Sequence, residues 1–261
     1  MLLTDGSPNT PEDLRVYESA ILDVSNTETI NLDTKLRLAT EEISQIVLGL
    51  LLDQSTVASD GAAMRRLLGV SDVVVTRQLK RWHALYTLAI FYRDAYNDQL
   101  NDRYLAKWNE YLLLARGAKD ITTQYGIGLV TSPIPQAGPP VVGAIPGLLA
   151  AAVYYTRITW VSATGAEGNP SMATAFEAPL GSVLTVTNGT GLFGTNPPDV
   201  ATGFNVYVGL TDSLTTLQNS TPLAIGQTFT EPGTGLVAGA RAGMGQAPDT
   251  YITGGAVLRR G

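Results

Sequence analysis

The sequence contains no cysteine and a single histidine, His83, in 261 residues. A chain without cysteine forms no disulfide bond, no thiolate metal site and no thiol nucleophile. One histidine also excludes a zinc site with two histidine ligands, and a Ser-His-Asp triad would require His83 to meet partners distant in sequence. We therefore interpret His83 as a residue that packs in the interior or lies on the surface of a helix.

Long apolar runs and an excess of basic residues are missing as well. The longest apolar stretch, residues 141–155, is too short to span a bilayer and is interrupted by Pro146. Residues 1–5 lack the basic and apolar segments of a secretory signal. The formal net charge of −6 opposes sequence-independent DNA binding, which requires a basic surface to neutralise phosphates. These features predict a soluble protein that is made in the cytoplasm.

Charged residues are scarce in the second half of the chain. Residues 1–125 contain 13 Lys/Arg and 17 Asp/Glu, whereas residues 126–261 contain 4 and 6. This shift predicts a segregated α+β fold, in which an N-terminal α-helical bundle precedes a C-terminal β domain. The predicted regions are a helical domain over 1–125, a Pro/Gly-rich linker over 126–149, a β-sandwich over 150–235 and an extended tail over 236–261.

The helical half shows apolar residues at a spacing of three and four. Thr10 is a suitable N-cap, and Pro11 suits the first position of a helix. The spacing predicts helices over residues 11–24, 32–53, a short segment through Met64, Leu67 and Leu68, residues 72–96, and a last helix from Leu100 that stops at Gly117 or Gly126.

The β half shows alternation instead. Side chains alternate between two faces over residues 153–161, and turn residues follow. Further strands are predicted at residues 172–177, 183–187, 203–209, 217–225 and 227–230. Short strands at this spacing are typical of a sandwich of about seven strands. The five prolines of the preceding segment predict a stiff linker, although residues 127–130 suit one strand of a hairpin.

No motif in the chain points to catalysis. The pattern Gly189–Gly194 matches GxGxxG, but prolines at 197 and 198 follow where a dinucleotide site requires a helix. The carboxylate pairs Asp98/Asp102 and Glu41/Glu42 suit solvated helix faces. We therefore predict no catalytic residue, no cofactor and no metal, and a protein that is not an enzyme.

Aromatic residues crowd into the two long helices. Seven tyrosines and tryptophans fall within thirty residues: Trp82, Tyr86, Tyr92, Tyr96, Tyr104, Trp108 and Tyr111. Tyr92 and Tyr111 fall off the main apolar stripes, and aromatic residues left on a helix surface often anchor interfaces. The Gly/Ala-rich tail cannot fold alone and needs a partner surface to become ordered. The candidate partner-interface residues are Tyr92, Tyr111, Val257, Leu258, Arg259 and Arg260.

The β half resembles the fibronectin-type-III or immunoglobulin-like modules of tailed-bacteriophage structural proteins. The residues that carry this resemblance are the segments 154–161, 165–171, 203–209 and 225–232. Phe204 stands where such modules often have tryptophan. The resemblance covers about 85 residues and implies an Ig-like sandwich in a virion protein.

The helical half is similar to phage head–tail connector (adaptor) proteins, on the helix 36–52 and the helix pair 73–118. The resemblance implies a homo-oligomeric ring of about twelve copies in the neck of the virion. This ring would bind the portal protein and neck or tail proteins, and its lumen would conduct DNA without sequence-specific binding. The helical domains would make the subunit contacts. The tail would dock on the portal or a neighbour, with Arg259 and Arg260 meeting acidic groups, or stay solvated.

Two rival interpretations stay open at this point. The chain is a different tail, baseplate or capsid-decoration protein, or it is a glycan-binding module. The glycan interpretation requires exposed aromatic side chains on the β half, such as Trp160 or Tyr207.

Overall fold

The computed structural model describes residues 1–56, 68–189 and 196–253. Its helices lie in the N-terminal half and its antiparallel sheets in the C-terminal half, which confirms the α+β class. The predicted short helix through Met64 and Leu67 falls outside the described residues. The chain divides into two compact units, one made of Gly6–Thr131 with Ala247–Gly261 and the other of Met1–Asp5 with Ser132–Gln246.

The described part of the helical unit contains five α-helices. They are α1 (Pro11–Leu14), α2 (Ile21–Thr27), α3 (Leu32–Thr56), α4 (Arg77–Gln99) and α5 (Asp102–Tyr125). The predicted start at Thr10 is confirmed, because its side chain accepts a hydrogen bond from Asp13 N–H while the Asp13 carboxylate accepts one from Thr10 N–H.

The predicted single helix over residues 11–24 is wrong. It is broken between Leu14 and Ile21. At the break the N–H of Ile21 donates to the carbonyl of Glu18, and the carbonyl oxygen of Tyr17 lies 3.1 Å from the hydroxyl of Tyr111 on α5. In a continuous helix the Tyr17 carbonyl would accept from the N–H of Ile21, but here it accepts from the Tyr111 hydroxyl of another helix.

Glycine and a left-handed leucine mark the ends of the long helices. Leu100 closes α4 with φ 50°. Gly117 does not stop α5, which continues to Tyr125 and ends at Gly126 with φ 99°. A β-carbon at Gly126 would also lie 3.1 Å from the Cβ of Tyr251, so this turn requires glycine.

The helix α4 lies at the centre of the helical unit. Its residues 82–85 and 87–92 are all buried, which covers the whole circumference of the helix. It packs against α3 and, more extensively, against α5. His83 contacts α3, and Tyr92 stacks on Tyr111 of α5. Nine residues separate His83 from Tyr92, about two and a half helical turns, so α3 and α5 lie on opposite sides of α4.

The second unit is built from two antiparallel sheets. One has the order β2-β5-β9 and the other β4-β3-β6-β7, with β8 also paired to β6. The strands are β2 (Val141–Leu149), β3 (Ala152–Ser162), β4 (Thr174–Ala178), β5 (Ser182–Thr187), β6 (Ala201–Gly209), β7 (Thr216–Leu217), β8 (Leu223–Ala224) and β9 (Phe229–Thr230). Side chains from both sheets enter one apolar core, in which Trp160 and Phe204 are register partners and Leu184 lies on the other sheet.

The predicted linker over 126–149 is corrected by the structure. Its start forms β1 (Ile127–Leu129), and its end forms β2. Pro146 is tolerated within β2 because β2 lies at a sheet edge, where one side of the strand needs no hydrogen-bond donor.

The C-terminal tail is partly ordered on its own chain, against the prediction that it needs a partner. Thr250–Ile252 forms β10, which pairs antiparallel with β1 rather than leaving β1 to a local hairpin. Asp249 strengthens this pairing, since its N–H donates to the carbonyl of Leu129 and its carboxylate accepts from Thr131 N–H. Residues 254–261 lie outside the described part of the chain.

Candidate subunit-contact surface

His83 is a buried packing residue. Its side chain is 0 % exposed. Its Nδ1 lies 2.9 Å from the side-chain nitrogen of Asn9, and its Nε2 lies 3.0 Å from the carbonyl oxygen of Leu36. Burial, with a smaller contribution from Lys80, lowers the pKa of His83 to about 4. The ring is therefore neutral at pH 7 and links α3, α4 and the N-terminal segment.

Replacing His83 by glutamine is expected to remove a step in the pH dependence of stability. The folded-state pKa of about 4 lies below the ordinary histidine pKa of 6.5, so the unfolded chain binds the proton more tightly. The free energy of unfolding of the wild type should thus fall by about 3 kcal/mol between pH 6.5 and pH 4, and be unaffected by this group above pH 6.5. Urea unfolding at a series of pH values checks this. A His83→Gln curve parallel to the wild type would contradict it.

Tyr92 and Tyr111 do not lie at a free surface, and their prediction as interface anchors is wrong. They are 3 % and 4 % exposed. Their rings stack with centroids 5.7 Å apart, and the hydroxyl of Tyr111 lies 3.0 Å from the Glu18 carboxylate, which also pairs with Lys107 at 2.7 Å. Burial and the Glu18 carboxylate raise the pKa of both tyrosines. Sequence spacing misplaced them because the partner segment around Glu18 leaves helical geometry and covers them.

Polar groups of the β unit are likewise engaged in structural bonds. Tyr207, Asn205 and Thr159 all donate to Oε1 of Glu167. Trp160 is 1 % exposed and Tyr207 is 3 % exposed. The glycan-binding interpretation required these aromatic rings at the surface, so their burial removes its support.

The carboxylates singled out in the sequence do not meet at one site. Glu41 pairs with Arg37 at 3.1 Å, and Glu42 accepts a hydrogen bond from Tyr86. Asp98 and Asp102 are exposed. Within the described residues no group of three or more histidine or carboxylate side chains is arranged to hold a metal ion. In the same part of the chain, no helix has the length and apolar character needed to cross a membrane.

The described surface of α5 carries an exposed apolar stripe. Leu113, Ile121 and Tyr125 are 70 %, 40 % and 69 % exposed. With Gly117 they recur every four residues, which places them along one side of the helix. Leu113 lies opposite the buried residues Tyr111, Ala115, Ala118 and Thr122, and the stripe turns towards the flank of that buried side at Ile121 and Tyr125. We call Leu113, Gly117, Ile121 and Tyr125 the α5 stripe.

A groove borders the α5 stripe. It has a volume of about 220 Å³ and is lined by Arg77, Gln78, Arg81, Ala118 and Ile121. Arg77 is the first residue of α4, Arg81 lies about one turn further along, and both are exposed. Neither makes an ion pair with a carboxylate among the described residues. The groove thus combines aliphatic walls with uncompensated positive charge.

A second exposed stripe runs along α3. It contains Glu41, Gln45, Leu48 and Leu52, at spacings of three and four. Leu48 is 37 % exposed and Leu52 is 48 % exposed. The stripe lies away from the buried Ile43 and Val47, which face the core. We call it, together with the adjacent exposed Gly49, the α3 stripe.

Sequence reasoning missed both stripes. The signal was present, since α5 carries a second apolar series beside the one that includes Tyr104 and Trp108. Spacing alone cannot tell an exposed apolar series from a buried one, and the burial of α5 residues in the structure makes that distinction. The other predicted interface residues, Val257, Leu258, Arg259 and Arg260, lie outside the described part of the chain, as does most of the GxGxxG segment.

Comparison of the chain with family models, with curated proteins and with solved structures gave no match.

Proposed function

We propose that this chain is a structural virion protein, a head-to-tail connector that forms a ring between portal and tail, and that it is not an enzyme. The proposal takes its viral context from the resemblance of the two halves to phage proteins. The proposed role is structural: the chain holds copies of itself and neighbouring proteins together while DNA passes through the lumen. An acidic chain suits that passage, because like charges keep the duplex from adhering.

The observation that carries the proposal is the α5 stripe. Exposed leucine, isoleucine and tyrosine recur at four-residue intervals along one helix, and exposed apolar patches often mark protein-binding sites. Burying each such aliphatic side chain fully contributes about 1.5–3 kcal/mol. The polar clusters of both units, by contrast, are occupied with internal bonds. The surface that is left for function is therefore one that binds protein.

The β unit is proposed to be an Ig-like sandwich, as the resemblance implies. Support comes from its two antiparallel sheets of three and more strands that enclose one core. Its role would be that of a brace or decoration on the ring. The proposal places this module, like the rest of the protein, in the neck of the virion.

Substituting Leu113 and Ile121 together by aspartate is expected to abolish ring formation. Wild-type protein should sediment as a large homo-oligomer, and electron microscopy should show the rotational symmetry of a ring. The double variant should weaken self-association at least about 100-fold, equivalent to about 3 kcal/mol, because charges would replace apolar contacts.

The matched control is Leu180→Asp, at a site in the β unit that is 80 % exposed. It should leave both folding and assembly unchanged. Circular dichroism must show that the double variant keeps its helices. A wild-type protein that stays monomeric, with or without a portal, would refute the proposed function.

A further inference from the structure

The two exposed stripes of the helical unit lie on opposite sides of its central helix. His83 on α4 contacts Leu36 of α3, while Tyr92 contacts Tyr111 of α5, and these two α4 residues point in opposite directions. Each outer helix buries one side against α4 and exposes the other. The described part of the unit therefore presents two different exposed surfaces on opposite sides of α4, one with leucine beside acidic and amide side chains on α3 and one with apolar side chains beside arginines on α5.

This arrangement decides the symmetry of assembly. A surface that pairs with itself gives a closed dimer, whereas two different surfaces that pair with each other give head-to-tail contacts, which form a ring when the rotation between copies closes and an open filament when it does not. We infer that the α3 stripe of one copy binds the α5 stripe of the next copy. The inference rests on the proposed ring function and names the surfaces that build the ring.

Charge and spacing on the two stripes are complementary. On α3, Glu41 lies seven residues before Leu48, about 10 Å along the helix. On α5, the groove with Arg77 and Arg81 adjoins Ile121, which lies eight residues or about 12 Å from Leu113. Leucine can therefore meet leucine while the Glu41 carboxylate reaches Arg77 and Arg81, which pair with no carboxylate in the described part of the chain. Among the described residues Glu41 forms an ion pair with the exposed Arg37 alone, an interaction of small value in water.

Each stripe also contains a glycine with open space above it. A β-carbon at Gly49 or at Gly117 would meet no atom within 4 Å. Helix interiors disfavour glycine, since it loses more conformational entropy than alanine. Glycine at the middle of each exposed stripe lets a partner helix approach closely, because interaxial distance depends on the side chains at the contact.

The experiment uses copies in which one stripe is blocked. Gly117→Arg blocks the α5 stripe and Gly49→Arg blocks the α3 stripe, and arginine favours the helix more than glycine does, so folding is preserved. Leu113→Asp and Leu48→Asp block the same stripes by a different chemistry. Mass is measured by sedimentation or by light scattering, for each variant alone and for a 1:1 mixture of one α5-blocked and one α3-blocked variant.

Each blocked variant alone is expected to be monomeric, because its intact stripe finds no intact complement. The mixture is expected to give a dimer of one chain of each kind and nothing larger, since only one pair of complementary stripes remains. Homodimers of either blocked variant, unaffected by mixing, would show that each stripe pairs with itself and would overturn the inference.

The remaining outcomes separate the inference from the proposed function. A wild type that forms rings while the mixture yields no heterodimer, or while blocked variants assemble normally, overturns the inference alone. A wild type that never exceeds one chain overturns both. Because the chain has no cysteine, a disulfide between Leu48→Cys on one copy and Leu113→Cys on another reports the contact directly, and only mixed-copy cross-links agree with it.

Discussion

Replacing Trp160 by alanine is expected to destabilise the β unit by about 3–5 kcal/mol. Trp160 is 1 % exposed and stands opposite Phe204 in the register of β3 and β6. Removing the indole from between two sheets leaves a cavity that the surrounding strands cannot fill without breaking their ladders. A loss of this size approaches the whole stability of an ordinary domain.

Hydrogen exchange measured by mass spectrometry resolves this effect by segment. Peptides from β3 and β6 should lose protection in Trp160→Ala, while α4 peptides report on the helical unit. The matched control is Val153→Ala on the same strand, where the side chain is 44 % exposed and the loss should stay below about 1 kcal/mol. Equal effects of the two substitutions would contradict the assignment of Trp160 to the core.

Replacing Glu231 by alanine is expected to cost the β unit about 3 kcal/mol. Glu231 is 3 % exposed, and its carboxylate accepts a hydrogen bond from the hydroxyl of Tyr154 at 3.0 Å and from the N–H of Leu184 at 3.1 Å. The donors lie on different sheets, so this carboxylate joins the two. Alanine would leave both donors buried without an acceptor, at about 1–3 kcal/mol for each.

Glu231→Gln separates the loss of hydrogen bonds from the loss of charge. Glutamine keeps the shape and one carbonyl acceptor, so its cost should be about 1 kcal/mol. Burial, together with the Glu231 carboxylate, raises the pKa of Tyr154 to about 12, so the hydroxyl stays a donor at neutral pH in the wild type. Urea unfolding of the three proteins checks the order of stability, and an alanine variant as stable as the glutamine variant would contradict the bridging role.

Local sequence predicted the long helices well and the short elements poorly. The cap at Thr10 and the helical spacing of Leu36, Ile43 and Val47 are decided by neighbours three or four residues away, so they can be recognised without a fold. The break after Leu14 cannot, since the carbonyl of Tyr17 at the break accepts a hydrogen bond from the hydroxyl of Tyr111 on another helix. Spacing also cannot say which of two apolar series on a helix is covered.

The same distinction explains the segment between the halves and the tail. Proline at 146 predicts an interruption, but an edge strand tolerates it, and edge position is a property of the sheet as a whole. The strand β10 pairs with a segment more than one hundred residues earlier in the chain. No local sequence pattern predicts such a pairing, because each partner strand is by itself only a short, weakly apolar run.

The amino-acid sequence by itself determined the α+β fold class, because charged residues at helical spacing give way to alternating, turn-rich residues. The lack of cysteine, and of all histidines but one, also excludes thiol chemistry and a zinc site with two histidine ligands. Tertiary structure alone decided which surfaces are left to bind. Burial belongs to the packed arrangement of α3, α4 and α5, and that arrangement covers Tyr92 and Tyr111 while it leaves Leu113, Ile121 and Leu48 in water.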